Sequence, residues 1–136
     1  MNYLLHTDTL HSIAGGSPSP SLRALLEQTP PTQLHIPVLS FAEVLAAIEL
    51  RKPPATALAA WLRRIPTDYP DRLIPLTPEI ATAWPNLAAL AQEKGHTLSL
   101  TDGLAAATAL HYDLILVTQP TPPLSATGVR IALSYR

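Results

Sequence analysis

The stretch Ser99-Leu-Thr-Asp-Gly-Leu-Ala-Ala-Ala-Thr-Ala-Leu110 constrains the fold more than any other part of the chain. Alanine and leucine are strong helix formers, and the run is apolar on nearly every side, so its helix must be enclosed by other elements and cannot rest a single face on a core. At its head stands an acid, Asp102. Ser99 and Asp102 have the Ser-x-x-acid spacing of a capping box, and negative charge at a helix start gains about 0.3 to 1 kcal/mol from the helix dipole. Asp102 therefore has two readings: it begins a helix, or it presents a carboxylate to a cation in a cleft.

Enclosing such a helix takes a real core. The chain has 136 residues, enough for one domain, 1–136, without disulfides or a structural metal. It contains no cysteine, which excludes a disulfide framework, a thiolate zinc site and a cysteine nucleophile. No apolar run approaches the roughly 18 residues of a membrane span, and Met1-Asn-Tyr-Leu-Leu-His6 lacks the basic region and cleavage site of a signal peptide. The expectation is a cytoplasmic protein with no membrane partner. Nine Lys plus Arg face ten Asp plus Glu, which leaves no net field to draw in a polyanion. The local pairs Arg51-Lys52 and Arg63-Arg64 read first as solvated helix ends. Apolar residues make up 47% of the chain and charged ones 14%, an excess that favours burial against a partner or a second copy.

Hydrophobic spacing divides the chain into alternating strands and helices. Tyr3-Leu-Leu-His6 reads as a short buried strand whose end emerges at His6-Thr7-Asp8, with His6 and Asp8 on one strand face. Thr9 to Ala14 follows as a helical turn stopped by Gly15-Gly16. Ser19 caps a helix over Ser21 to Gln28, and Leu34-His-Ile-Pro-Val38 is a second strand with Pro37 at its end. Ser40 and Glu43 form another Ser-x-x-Glu box ahead of a Phe41, Val44, Leu45, Ile48 stripe. After Pro53-Pro54, Leu58, Trp61, Leu62 and Ile65 repeat the stripe, as in a helical hairpin. Arg72 to Pro75 is a short strand, and Thr77-Pro78 starts a helix to Lys94 that Pro85 is expected to kink or divide. Beyond the opening stretch, Asp113 to Thr118 is a buried strand, and Val129 to Leu133 a last one after a proline-rich loop. This order predicts an α/β sandwich on a mostly parallel sheet.

The chain has no Gly-rich phosphate loop, no Gly-x-Ser-x-Gly elbow and no histidine pair at metal spacing. Of its five histidines, His11, His35, His96 and His111 read as surface or strand-end residues. His6 instead falls at the carboxyl end of a parallel strand, where open α/β sheets bind their ligands. Asp8, Glu43 and Asp102 come from the ends of three different elements. On one sheet edge their carboxylates would suit Mg²⁺ or Mn²⁺, hard cations that activate water and neutralise a phosphoryl group.

Tyr3-Leu-Leu-His-Thr-Asp-Thr-Leu10, Val38-Leu-Ser-Phe-Ala-Glu-Val44, Leu100-Thr-Asp-Gly-Leu-Ala-Ala-Ala-Thr-Ala109, Leu116-Val-Thr118 and Thr127-Gly-Val-Arg130 stand in an order and spacing of their own. Together they resemble the motifs of the PIN domains, in particular the VapC-type ribonuclease toxins of bacterial toxin–antitoxin pairs. The first is similar to that family's opening Leu-Asp-Thr-Asn strand. The second places the family's glutamate on Glu43, and the third, similar to Asp-x-x-Ile-Ala-Ala-Thr-Ala, places its third acid on Asp102. Two positions depart from the pattern. His6 stands where the family carries its first aspartate, with Asp8 at the following Asn position. Pro120 stands where an Asn or Asp comes two residues after the threonine of the fourth motif, Thr118.

The resemblance implies a PIN-like three-layer α/β/α sandwich of about five strands, a homodimer, and a cognate antitoxin or RNA as partner. It also implies one of two activities. The two retained acids, Glu43 and Asp102, each have a second role in a capping box, whereas the altered positions His6 and Pro120 have none. The leading reading is accordingly a fold that has kept its shape, has impaired or lost metal-dependent ribonuclease activity, uses no metal and acts through binding. The other is an active Mg²⁺- or Mn²⁺-dependent endoribonuclease. In it Asp8, Glu43 and Asp102 hold the metal and catalyse, His6 is an auxiliary ligand, and Thr7 and Thr118 supply supporting hydroxyls.

Overall fold

Short, continuous apolar runs become a parallel sheet when helices cover both faces, and the computed structural model, which describes residues 1–14, 18–51 and 57–132, has this arrangement. Its strands are β1 (Tyr3–Leu5), β2 (Leu34–Pro37), β3 (Leu73–Ile74), β4 (Ile115–Val117) and β5 (Ile131–Ala132). They lie in the order β3-β2-β1-β4-β5, and every pairing is parallel. The helices are α1 (Thr7–Ala14), α2 (Pro20–Gln28), α3 (Val38–Arg51), α4 (Ala57–Asp68), α5 (Pro78–Glu93), α6 (Leu100–His111) and α7 (Pro122–Ala126).

Neighbouring residues of the central strands serve opposite layers. Leu4 and Leu116 enter a cluster with Ile80 and Leu87 of α5, Ala106 of α6 and Leu124 of α7. Leu5 and Val117 enter a second cluster with Leu10 of α1, Leu22 of α2, Val44 of α3 and Leu62 of α4. Fully burying side chains of this size stabilises by about 1.5–3 kcal/mol each, so both layers are anchored through adjacent residues of β1 and β4. The fold is the expected α/β sandwich, with a sheet that is wholly parallel. Helix α6 is enclosed as its composition requires: Gly103 to Ala109 are all buried.

Several local expectations are corrected. Helix α1 begins at Thr7, because the His6 carbonyl already accepts from the Leu10 amide at 3.0 Å, so Asp8 lies in a first helical turn and shares no strand face with His6. Helix α3 begins at Val38, which puts Ser40 inside it and leaves no Ser40–Glu43 cap. Pro85 sits within an undivided α5. The proline-rich loop contains α7, whose Leu124 amide donates to Thr121 Oγ1 and whose prolines occupy the first turn, where no N–H is needed. The Ser19 and Thr77 caps form as expected. Helices α3 and α4 pack together. Arg63 and Arg64 are exposed and paired with Glu49 at 3.7 Å and Asp68 at 2.8 Å. The Gly15-Gly16 stop, Lys52, the Pro53-Pro54 break, Leu133 and the side chains of Arg51, Leu58 and Trp61 lie outside the described residues. Among those described, no helix is long and apolar enough to cross a membrane.

Candidate active site

In an open parallel sheet a crevice forms where neighbouring strands send their connections to opposite faces. Here that point lies between β1 and β4: β1 leads into α1 on one layer, and β4 leads into α7 on the other. A cleft of about 550 Å³ opens at the carboxyl ends of these strands. His6, Thr7, Asp8, Glu43, Asp102 and Thr118, the six residues singled out from the sequence, all line it. So do His11, Thr101, Gln119 and Thr121, which sequence reasoning passed over. His11 was detectable in principle, since it follows Thr7 and Asp8 by four and three residues on the same helix face.

Two of the three acids are engaged by the protein itself. Asp8 Oδ1 accepts from the Thr9 amide at 2.8 Å and from Thr118 Oγ1 at 2.9 Å. Its Oδ2 accepts from Thr118 Oγ1 at 2.9 Å and from the Gln119 amide at 3.2 Å. The carboxylate thus ties the start of α1 to the end of β4. Thr9 Oγ1 reinforces the junction by donating to the Val117 carbonyl at 2.6 Å. Asp102, at the start of α6, turns the other way. Its amide donates to Ser99 Oγ at 3.1 Å, which is the cap expected from the sequence, and its Oδ1 accepts from His6 Nε2 at 2.7 Å. A carboxylate offers only acceptors, so Nε2 carries the proton in this pair.

The His6–Asp102 pair does not present a base to the cleft. His6 is buried, and its other ring nitrogen, Nδ1, is itself buried with no hydrogen-bond partner. A histidine oriented by an acid works as a general base through its second nitrogen, which must reach the reacting proton. Glu43 Oε1 and Thr7 Oγ1 are likewise buried without partners.

The hydrogen bond from His6 holds the Asp102 carboxyl below the usual carboxylate range; burial opposes this, and the charge of His6 and the Ser99 hydroxyl add to it. A depressed folded-state value means that the interaction stabilises fully above the unfolded-state value of about 3.9. It is lost as pH falls through the lower folded-state value. Asp102→Asn is therefore expected to flatten the acid limb of the stability curve below about pH 4, measured by urea unfolding at a series of pH values. An acid limb identical to that of the wild type would contradict this.

A model of the PIN domain matches residues 3–119, from β1 to the end of the cleft-forming turn after β4. The chain belongs to the PIN-domain family. Solved structures with the same fold include a chain of FitAB bound to an IR36 DNA fragment, with a TM-score of 0.78 at 20% identity over 98% of this chain and 96% of that one. A toxin–antitoxin complex from Klebsiella pneumoniae gives 0.70 at 23% identity over 98% of each chain. VapBC2 from Rickettsia felis, bound to a DNA fragment from their promoter, gives 0.66 at 16% identity over 98% of each. Among curated proteins none matches by sequence.

PIN domains generally work with a divalent metal. The donors present do not fit it. Asp8 accepts protein hydrogen bonds on both oxygens, Asp102 Oδ1 is taken by His6, and Pro120 brings no donor atom in its side chain. Among the described residues, no group of three or more His, Cys, Asp or Glu side chains is placed to hold a metal ion.

Proposed function

We propose that residues 1–136 form a single PIN domain of the VapC type, the toxin-side member of a toxin–antitoxin pair, whose metal-dependent ribonuclease activity is lost or impaired and which acts through binding. The observation that carries this reading is the 2.7 Å contact between His6 Nε2 and Asp102 Oδ1, which engages one oxygen of a candidate metal ligand inside the protein. The likeness to toxin–antitoxin complexes supports an antitoxin as the partner, and the high apolar content supports a second copy of the chain. The proposed setting is the cytoplasm.

The competing reading, a Mg²⁺- or Mn²⁺-dependent endoribonuclease using Asp8, Glu43 and Asp102 with His6 as auxiliary ligand, draws on the gathering of these residues in one cleft. Calorimetric titration of Mn²⁺ into the wild-type protein, alongside an RNA cleavage assay, separates the two. The expected outcome is no saturable heat at millimolar Mn²⁺ and no metal-dependent cleavage. Saturable binding with cleavage, both abolished in Glu43→Gln and Asp102→Asn, would overturn the proposal. Light scattering on the same sample is expected to give twice the 14.6 kDa chain mass.

A further inference from the structure

A second cavity, of about 360 Å³, opens at the amino ends of the strands, the opposite end of the sheet from the acidic cleft. Asn2 and Leu114, which lie just before β1 and β4, line it together with His35 of β2 and Ile74 of β3. His35 pairs in register with Leu4, so it stands on the sheet face where Leu4 packs with α6. Tyr112, the residue that follows α6, forms another wall. It is 44% exposed and makes a T-shaped ring contact with His111 at 4.7 Å. Asp71 stands exposed at the rim. Among the described residues, the side chains of Asn2, His35, Asp71 and Tyr112 make no hydrogen bond and no ion pair, so each is available to a ligand. No residue lines both this cavity and the acidic cleft.

Charge decides what such a cavity accepts. The Asp71 carboxylate offers only acceptors, and the carboxyl end of α6, where the helix dipole is negative, also favours ligand N–H groups. An anion is disfavoured by both. A cation is opposed by Arg72: burial, and after it the charge of Arg72, hold the His35 imidazole below its usual range, so the ring is uncharged at neutral pH. The apolar surface of Ile74 and Leu114 beside the Tyr112 ring suits a flat, uncharged, aromatic ligand that carries N–H donors. We propose that this cavity binds a nucleobase, guanine in particular, with its ring against Tyr112 and its Watson–Crick edge on Asp71. Guanine carries adjacent N–H donors on that edge, at N1 and the N2 amino group, which match the paired oxygens of a carboxylate. Adenine and cytosine set a single amino group beside an acceptor, and uracil sets one N–H between acceptors. The Asn2 amide and the neutral His35 ring each carry a donor for the O6 and N7 acceptors of guanine. The inference goes beyond the proposed function and holds whether or not the acidic cleft takes a metal.

The test is titration of the purified, isotope-labelled full chain with guanosine, adenosine, cytidine and uridine monophosphates, followed by NMR of the backbone amides. Guanosine monophosphate is expected to give saturable shifts at Asn2, Ile74 and Leu114, with an affinity roughly tenfold above that of the other nucleotides. Tyr112→Ala is expected to weaken its binding roughly tenfold through lost stacking. Asp71→Asn, which strands no partner, is expected to stay folded and to lose the preference for guanine. The single-stranded RNAs UUGUU and UUUUU separate the sources of the base. Tighter binding of UUGUU than of guanosine monophosphate, absent for UUUUU, supports a base displayed by RNA, and equal binding supports the free nucleotide. The proposal is overturned by the absence of saturable shifts with guanosine monophosphate, by equal affinity for all the nucleotides, or by an unchanged guanine preference in Asp71→Asn. Shifts confined to Thr118 and Gln119 overturn it too, because the nucleotide would then occupy the acidic cleft. So does free arginine moving the Asn2, Ile74 and Leu114 amides where the nucleotides do not, which would make this a cation site.

Discussion

Asp8→Ala is expected to lower stability by roughly 3 kcal/mol, a fall of about 10 °C in melting temperature for a domain of this size. The Thr118 hydroxyl and the Thr9 and Gln119 amides all lose their acceptor at once. Thr118 is buried at the cleft wall, so its hydroxyl turns to water less readily than the Gln119 amide, which lies at an exposed junction. Hydrogen bonds to a charged group contribute about 1.5–3 kcal/mol each, and partial rescue by water keeps the total below their sum. Loss of an acid from the first turn of α1 adds a few tenths more through the helix dipole. Asp8→Asn keeps one acceptor oxygen and is expected to cost about half as much. Thermal melts of both variants check the order. If Asp8→Ala melted with the wild type, Asp8 would have no part in joining α1 to β4, and its place in the cleft would need a chemical explanation instead.

Gly103→Ala is expected to destabilise by roughly 2 kcal/mol, against the direction that helix propensity alone gives. Within a helix, alanine is favoured over glycine by about 0.5–1 kcal/mol. At this position, however, a Cβ would fall inside the indole of Trp84, against Cδ1 and Nε1, and close to Leu98 Cδ2 at 3.3 Å. The Leu98 methyl can yield. The indole is rigid and has to swing away as a unit, which breaks the bond from Trp84 Nε1 to the Ser99 carbonyl at 3.4 Å and opens the contact between α5 and α6. Overpacking of this kind costs about 1–3 kcal/mol, enough to outweigh the propensity gain. In a Trp84→Ala background the same substitution is expected to become neutral or stabilising. Denaturant unfolding of the four proteins in this cycle measures the coupling, and additivity between the two positions would refute the packing account.

Both predictions concern features that differ in how far the sequence reveals them. The enclosure of α6 was legible because an alanine-rich helix without a polar face has nowhere to go but inside. The two layers were legible because Leu4 and Leu5, like Leu116 and Val117, are apolar neighbours that a parallel sheet must send to opposite sides. The Ser99 and Thr77 caps were legible because a cap is made within a few residues of chain. The Ser40–Glu43 cap was not: the same spacing occurs inside a helix that starts earlier, and only its true beginning at Val38 distinguishes the two cases. The direction of Asp8 was missed for a related reason. A strand extended by a few residues would have set it beside His6, but the chain turns into helix at Thr7 and swings the carboxylate toward Thr118.

The sequence by itself therefore determined the fold class, the family resemblance and six of the residues that share the cleft, because periodicity, caps and motif order are written in near neighbours along the chain. What only the tertiary structure decided is the state of each carboxylate there. His6 meets Asp102 across 96 residues and Thr118 meets Asp8 across 110. Whether an oxygen is held by a protein donor or left for a cation depends on a distance of a few tenths of an ångström between such partners, and that distance is set by the packing of the whole sheet.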